Sequence, residues 1–162
     1  FGDGAGAAVL SRNPAPDRRR IEWKRYGSLL NPAKRDALRF DTRGGMLRNI
    51  LSREVPRLAA DHAHDVLWQV LQAEGAQARD IAAWIVHAGG RDVLLALEDR
   101  IGLPRVALRH SARILNEFGN LSSAFVVFVL QDALRDHASG GRWWMSSFGA
   151  GFSCHGALLE VE

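Results

Sequence analysis

The pattern of apolar positions divides the chain into strand-like runs near its ends with helical patterns between them. Residues 7–11 form a short apolar run after a glycine-rich opening, and the run stops at Asn13-Pro14-Ala15-Pro16, which predicts a strand and then a turn. Residues 21–26 give a second, part-alternating strand, and residues 38–41 a third. Pro56 stands where a first helical turn tolerates proline, and Val55, Leu58, Ala59, Val66, Leu67, Val70 and Leu71 recur at helical spacing, with an end expected near Gly75. Ile81-Ala82-Ala83-Trp84-Ile85-Val86 is continuously apolar, as suits a strand buried on both faces. It leads into His87-Ala88-Gly89-Gly90 and a helical pattern through Val93, Leu94, Leu97 and Ile101, closed by Gly102 and Pro104. A further helix is expected over about residues 104–118.

Gly119-Asn120-Leu121-Ser122-Ser123 then introduces residues 124–130, almost entirely apolar. This predicts a helix buried all round, whose polar start supplies oxygens for its first free N–H groups. After Gly140-Gly141, residues 143–148 and 152–161 read as two strands joined at Gly149-Ala150-Gly151 into a hairpin. The order β, β, β, α, β, α, α, α, β, β mixes the two types and predicts a layered α/β arrangement. No internal repeat or low-complexity linker interrupts it.

Composition narrows the class. At 162 residues, with 47% apolar and 24% charged positions, the chain fits one soluble domain with a real core, and disorder or collagen-like repeats are excluded. A single cysteine, Cys154, excludes a disulfide framework and any multi-cysteine zinc site. No run reaches the ~18–20 apolar residues that span a bilayer, and no signal peptide opens the chain; the expected location is cytoplasmic, with no membrane partner. The chain opens on Phe1-Gly2-Asp3-Gly4 without Met, which reads as the interior of a longer protein. The net charge is +3 and the pI about 9.7, yet only Arg18-Arg19-Arg20 forms a basic run. Solvated arginines are therefore expected and a nucleic-acid partner is not, while a basic rim that attracts a CoA thioester stays open.

Few side-chain groupings carry chemistry. Gly2-Asp3-Gly4-Ala5-Gly6-Ala7 fits G-x-G-x-x-A, but a dinucleotide site needs that loop after a strand and at the start of a helix. Here it precedes a strand, so its glycines are read as marks of close backbone packing. In Asp61-His62-Ala63-His64-Asp65 the two histidines point about 200° apart on a helix and cannot share a metal. Neighbours along a strand project to opposite faces, so Cys154 and His155 cannot form a dyad, and Cys154 is expected to be buried and structural. No metal site is expected. His87 differs: it sits at the carboxyl end of a buried strand, before a glycine pair that would give a tight turn and let a ligand reach the backbone. Asn120 lies in a short polar stretch between two helices. An imidazole and a carboxamide converging there would hold a thioester carbonyl oxygen as it becomes negative; a strand-end histidine with a satisfied hydrogen bond and a helix-capping asparagine are the plainer alternatives.

Four segments in order then resemble the C-terminal half of type III polyketide synthases, the chalcone synthase-like enzymes of the thiolase superfamily. They are Phe1-Gly2-Asp3-Gly4-Ala5-Gly6-Ala7-Ala8-Val9, Val86-His87-Ala88-Gly89-Gly90, Gly119-Asn120-Leu121-Ser122-Ser123-Ala124 and Phe148-Gly149-Ala150-Gly151-Phe152. Met46-Leu47-Arg48-Asn49-Ile50-Leu51, ahead of Val55-Pro56, is similar to the bacterial branch. The resemblance spans residues 1–162. It implies an α/β thiolase-like half-fold, a mixed five-stranded sheet layered with helices.

The resemblance also implies a Cys-His-Asn triad, with the histidine at His87 and the asparagine at Asn120. The implied reaction is decarboxylative Claisen condensation of malonyl-CoA onto an acyl-CoA starter, with no cofactor. His87 and Asn120 would stabilise the enolate left when CO₂ departs, and His87 would pair with the nucleophilic thiolate. That cysteine belongs to the family's N-terminal half, so the chain alone is expected to be inactive. Its implied partners are that half and, when complete, a second copy. Phe1 matches an aromatic gate between the CoA tunnel and the reaction cavity; Asn49 falls near a second gating aromatic of plant members; Gly89, Gly90, Ser122 and Phe148 would adjoin substrate. Ala88 and Ala150 stand where many members carry Pro. Two alternatives remain: a β-ketoacyl-acyl carrier protein synthase III-like enzyme, whose histidine is usually followed by Gln-Ala-Asn rather than Ala88-Gly89-Gly90, and a non-catalytic truncated domain.

Overall fold

Two antiparallel pairings and one parallel pairing build the central sheet. The computed structural model describes residues 2–13 and 18–162. In it, β1 (Ile21–Leu30), β4 (Ile81–Val86), β5 (Gly141–Gly149) and β6 (Ser153–Val161) lie in the order β1-β6-β5-β4. β6 is antiparallel to both neighbours, whereas β4 runs parallel to β5. A separate antiparallel ribbon joins β2 (Leu38–Arg43) to β3 (Met46–Leu51). Helices α1 (Val55–Ala73), α2 (Arg91–Ile101), α3 (Arg109–Phe118) and α4 (Phe125–Arg135) complete the chain. α1 packs on β6 and β1, while α3 and α4 pack on β4.

The strand expected over residues 7–11 is absent and β3 is a strand that the apolar pattern does not predict, so the order of element types is kept with different members. Residues 7–11 have no regular structure, and Val9 and Leu10 are 95% and 79% exposed. Among the described residues no strand lies beside them to take their backbone groups. The opening instead crosses the α3–α4 corner: the Gly2 N–H donates to the Asn120 carbonyl at 3.0 Å, and a Cβ on Gly6 would stand 2.8 Å from Val127 Cβ. Close packing is thus what these glycines serve. The third strand is β3, folded back on β2 through Gly44 and Gly45, both at positive φ as a two-residue hairpin turn requires. Among the described residues the main sheet therefore has four strands and not five. Of the turn expected at Asn13-Pro14-Ala15-Pro16, residues 14–16 lie outside the described residues.

The remaining elements need smaller adjustments. The segment expected as one helix over 104–118 opens with a 3-10 turn, Arg105–Leu108, before α3. Residues 124–130 are almost entirely apolar in sequence, yet within α4 only the stripe Phe125, Val129 and Ala133 is fully buried; Val126, Val127 and Phe128 remain half-exposed. The β5–β6 hairpin closes as predicted, with Gly151 at φ +115°.

Side-chain volume decides where α1 sits. Gly27 and Gly156 are cross-strand partners in β1 and β6, and together they leave a notch in the sheet that admits Val66 and Val70 of α1. A Cβ on Gly27 would lie 2.8 Å from Val70 Cγ2, and one on Gly156 would collide with the Trp144 ring and stand 3.0 Å from Val66 Cγ1. Trp144 is only 1% exposed and has nowhere to retreat. Gly156→Ala is therefore expected to lower stability by about 1–3 kcal/mol, the usual cost of an added methyl in a filled core. Denaturant unfolding checks this, and a neutral substitution would show that α1 does not need the notch.

Candidate active site

Because β4 and β5 are parallel and adjacent, their carboxyl ends open on the same rim. Val86 pairs with Ser146, and the His87 N–H donates to the Ser146 carbonyl at 2.9 Å, so His87 leaves the sheet one step beyond β4. Phe148, near the end of β5, brings its ring centroid to 5.0 Å from that of His87. A cavity of about 700 Å³ lies against this rim. Its wall includes His87, Asn120, Asn49, Gly89, Gly90, Ser122 and Phe148. These are the residues that the resemblance assigns to the site, apart from Phe1, which lies outside the described residues.

His87 is 6% exposed and sits between aromatic rings, with Phe125 meeting it edge-on at 5.3 Å. Its Nδ1 is buried without a hydrogen-bond partner among the described residues. Burial disfavours the charged ring and takes its pKa below the ordinary 6.5 to about 4, so the imidazole is neutral near pH 7. Asn120 is the opposite case, fully oriented. Its Oδ1 accepts the Ser122 N–H at 2.8 Å and its Nδ2 donates to the Gly89 carbonyl at 3.2 Å, which settles which end of the carboxamide is which. One N–H serves Gly89, and a carboxamide has two. Ser122 pays for this arrangement with φ +55°, a left-handed backbone that non-glycine residues seldom adopt.

The glycine pair after His87 works differently from the expected tight turn. Neither residue lies in the left-handed region; Gly90, at φ 169°, is extended backbone open to any residue. Gly89 is held to glycine by packing, because a Cβ there would stand 2.9 Å from Phe148 Cζ. At Gly90 a Cβ would meet nothing within 4 Å, so the backbone lies open there at the cavity wall.

Several wall residues escaped the sequence reading. Leu38, Phe40 and Leu51 come from the β2–β3 ribbon, whose second strand was missed; the Gly44-Gly45 pair between two part-apolar runs was the available signal. Asn49, on the same ribbon, and Ser52 beyond it each leave a buried side-chain oxygen without a partner. Arg53 and Arg91 also border the cavity, and neither pairs with an acid among the described residues. The other candidates lie elsewhere. Cys154 is 1% exposed and absent from the cavity wall, and burial pushes its thiol up to about 12, while His155 faces out and bonds Ser28. His62 turns inward to the Leu58 carbonyl and Asn31, whereas His64 stacks on Trp68. Arg19 and Arg20 of the basic run are tied to Glu162.

The chain has relatives among known proteins. The family model for chalcone and stilbene synthases, C-terminal domain, matches residues 31–160, and the chain belongs to that family. It is 35% identical over 165 residues to a 1,3,6,8-tetrahydroxynaphthalene synthase of Streptomyces peucetius subsp. caesius, covering 99% of this chain and 44% of that protein. To a 3,5-dihydroxyphenylacetyl-CoA synthase of Streptomyces toyocaensis it is 30% identical, covering 99% and 43%. The crystal structure of 1,3,6,8-tetrahydroxynaphthalene synthase from Streptomyces coelicolor A3(2), a bacterial type III polyketide synthase, superposes with a TM-score of 0.79 at 28% identity, over 88% of this chain and 41% of that one. The C-terminal type III polyketide synthase domain of Steely1 from Dictyostelium shares the fold, with a TM-score of 0.82 at 20% identity over 92% of this chain and 43% of that one. The chain thus spans a little under half the length of the relatives it matches, and its fold is that of a thiolase-like half.

The state of His87 is open to direct measurement. The folded ring resists protonation down to about pH 4, while the unfolded ring protonates near 6.5. Its contribution to stability is therefore full above about pH 6.5 and is lost as pH falls through 4, a change of about 3 kcal/mol. Nuclear magnetic resonance titration of the His87 ring is expected to show the neutral form persisting below pH 5; a midpoint near 6.5 would mean that the ring is solvated.

Proposed function

We propose that this chain supplies the oxyanion-holding half of a type III polyketide synthase, acting in decarboxylative Claisen condensation of malonyl-CoA onto an acyl-CoA starter. One observation carries the reading: a neutral, largely buried imidazole and a carboxamide fixed at both ends border the same cavity. When the C–C bond to the carboxylate breaks, CO₂ leaves and its electron pair moves through the α-carbon onto the thioester oxygen. His87 and the second N–H of Asn120 donate to that oxygen. Such donors, held in place before the charge develops, spare the reorganisation that water would need. With Nδ1 buried and unpartnered, the proton of the neutral ring belongs on the nitrogen that serves the oxygen.

The enolate carbon then attacks an acyl thioester on a cysteine, whose thiolate departs. Cys154 cannot be that group, being buried away from the cavity with its thiol at about 12. The nucleophile is therefore assigned to a cysteine-bearing N-terminal half, and residues 1–162 act as the C-terminal thiolase-like domain. Unsatisfied apolar surface supports that division. Trp23, Tyr26, Val126 and Met145 line a second cavity of about 260 Å³ on the sheet face away from α1, and Val9 and Leu10 lie bare. A thiolate brought beside His87 would favour the imidazolium and raise its pKa again. Arg53 and Arg91 fit a substrate that carries phosphates, as CoA thioesters do.

Removing one oxyanion donor typically costs ~10²- to 10³-fold in rate. Asn120→Ala in the complete enzyme is expected to slow malonyl-CoA decarboxylation by about that factor, measured as CO₂ release. Turnover near that of the wild type would remove Asn120 from the chemistry and the reading with it.

A further inference from the structure

At the free edge of β4 one hydroxyl serves the last residue of the strand. β4 is the last strand of the sheet, and its Val86 directs both backbone groups away from β5, since the next N–H, that of His87, is the one that bonds Ser146. Among the described residues no strand takes up Val86. The hydroxyl of Ser111, in the first turn of α3, donates to the Val86 carbonyl at 2.7 Å and accepts the Val86 N–H at 3.3 Å. Ser111 is 0% exposed, so this bond is shielded from bulk solvent. The helix that carries it is itself fastened. His110, also 0% exposed, places Nδ1 at 2.6 Å from Asp132 Oδ2 of α4, and Arg113 holds the other oxygen of Asp132 at 3.1 Å. α3 ends at Phe118 and is capped by Gly119, the residue before Asn120.

We propose that Ser111 is a positioning residue for His87, and that α3 acts as a strut setting the imidazole and the Asn120 carboxamide at a fixed separation. This rests on the proposed roles of His87 and Asn120. Ser111 touches neither the cavity nor the reacting atoms; it acts through the backbone of the residue before His87. Without the hydroxyl, two buried backbone groups lose their partner, a loss that ordinary packing does not repair. The strand end then shifts to satisfy them, and a displacement of about 1 Å at a reacting group costs up to ~10²-fold in rate. Threonine keeps the hydroxyl and alanine does not, which separates the bond from the volume of the side chain.

The test compares Ser111→Ala, Ser111→Thr and wild type in the complete enzyme, with Asn120→Ala in parallel. In Ser111→Ala, hydrogen exchange at the Val86 and His87 amides is expected to accelerate at least about tenfold while the amides of α1 keep their protection. The kcat for malonyl-CoA decarboxylation is expected to fall about 10- to 100-fold with KM changed less than threefold, and Ser111→Thr is expected to restore both. Unchanged kcat in a folded Ser111→Ala enzyme would overturn the inference, as would a loss that threonine fails to rescue. Should Ser111→Ala not fold, the inference stands or falls on Ser111→Cys, which keeps the size but makes poor hydrogen bonds: slow turnover supports it and full turnover overturns it. If Asn120→Ala is also fully active, the proposed function itself has failed; if only the Ser111 variants are active, the strut alone is wrong.

Discussion

The parallel pairing of β4 with β5 is the constraint on which the rest of the site depends. Two parallel neighbours cannot be joined by a tight turn, so the chain must travel from one end of the sheet to the other between them. That journey is α2, α3 and α4, and it brings the α3–α4 corner back over the rim where β4 ends. Asn120 lies at that corner, His87 at the end of β4 and Phe148 near the end of β5. One topological requirement thus gathers three residues separated by as many as 61 positions in sequence into the wall of one cavity.

The same pairing leaves β4 as an edge with backbone groups to satisfy, and the structure meets that need with side chains. Ser111 serves Val86, and Asn120 divides its carboxamide between the Gly89 carbonyl and the Ser122 N–H. Both are hydrogen bonds from crossover elements to the strand end or the loop beyond it. They tie the local backbone to the position of α3, while the His110–Asp132 contact ties α3 to α4. Polar groups buried in this way stay rigid when satisfied and are costly when not. His87 is the exception, with Nδ1 left unpartnered in an apolar, aromatic setting that keeps the ring neutral.

Much of this was legible in the sequence because it depends on periodicity and on local motifs. The continuous apolar run of β4, the amphipathic face of α1 and the glycines of the β5–β6 hairpin each specify their element with short-range information. His87 and Asn120 were legible for the same reason, each standing at a marked boundary between elements. What stayed hidden depends on contacts distant in sequence. Residues 7–11 have the composition of a strand, but a strand needs a neighbour, and none of the described residues supplies one. β3 was missed because Arg48 and Asn49 break its apolar pattern, although Gly44-Gly45 marked the turn before it. The apolar surface of α4 signalled burial, yet three of its residues stay half-exposed within this chain. Ser111 had no sequence signature at all, because its role exists only where α3 meets the free edge of β4.

His87 and Asn120 are held to act together on one oxygen atom, and that is a statement about distance. A crystal structure of the complete enzyme with a malonyl-CoA analogue that cannot lose CO₂ measures it directly. The thioester oxygen is expected about 2.7–3.1 Å from both a ring nitrogen of His87 and Nδ2 of Asn120. An analogue bound in the cavity with that oxygen beyond hydrogen-bond reach of both side chains would contradict the assignment of this rim as the oxyanion-holding site.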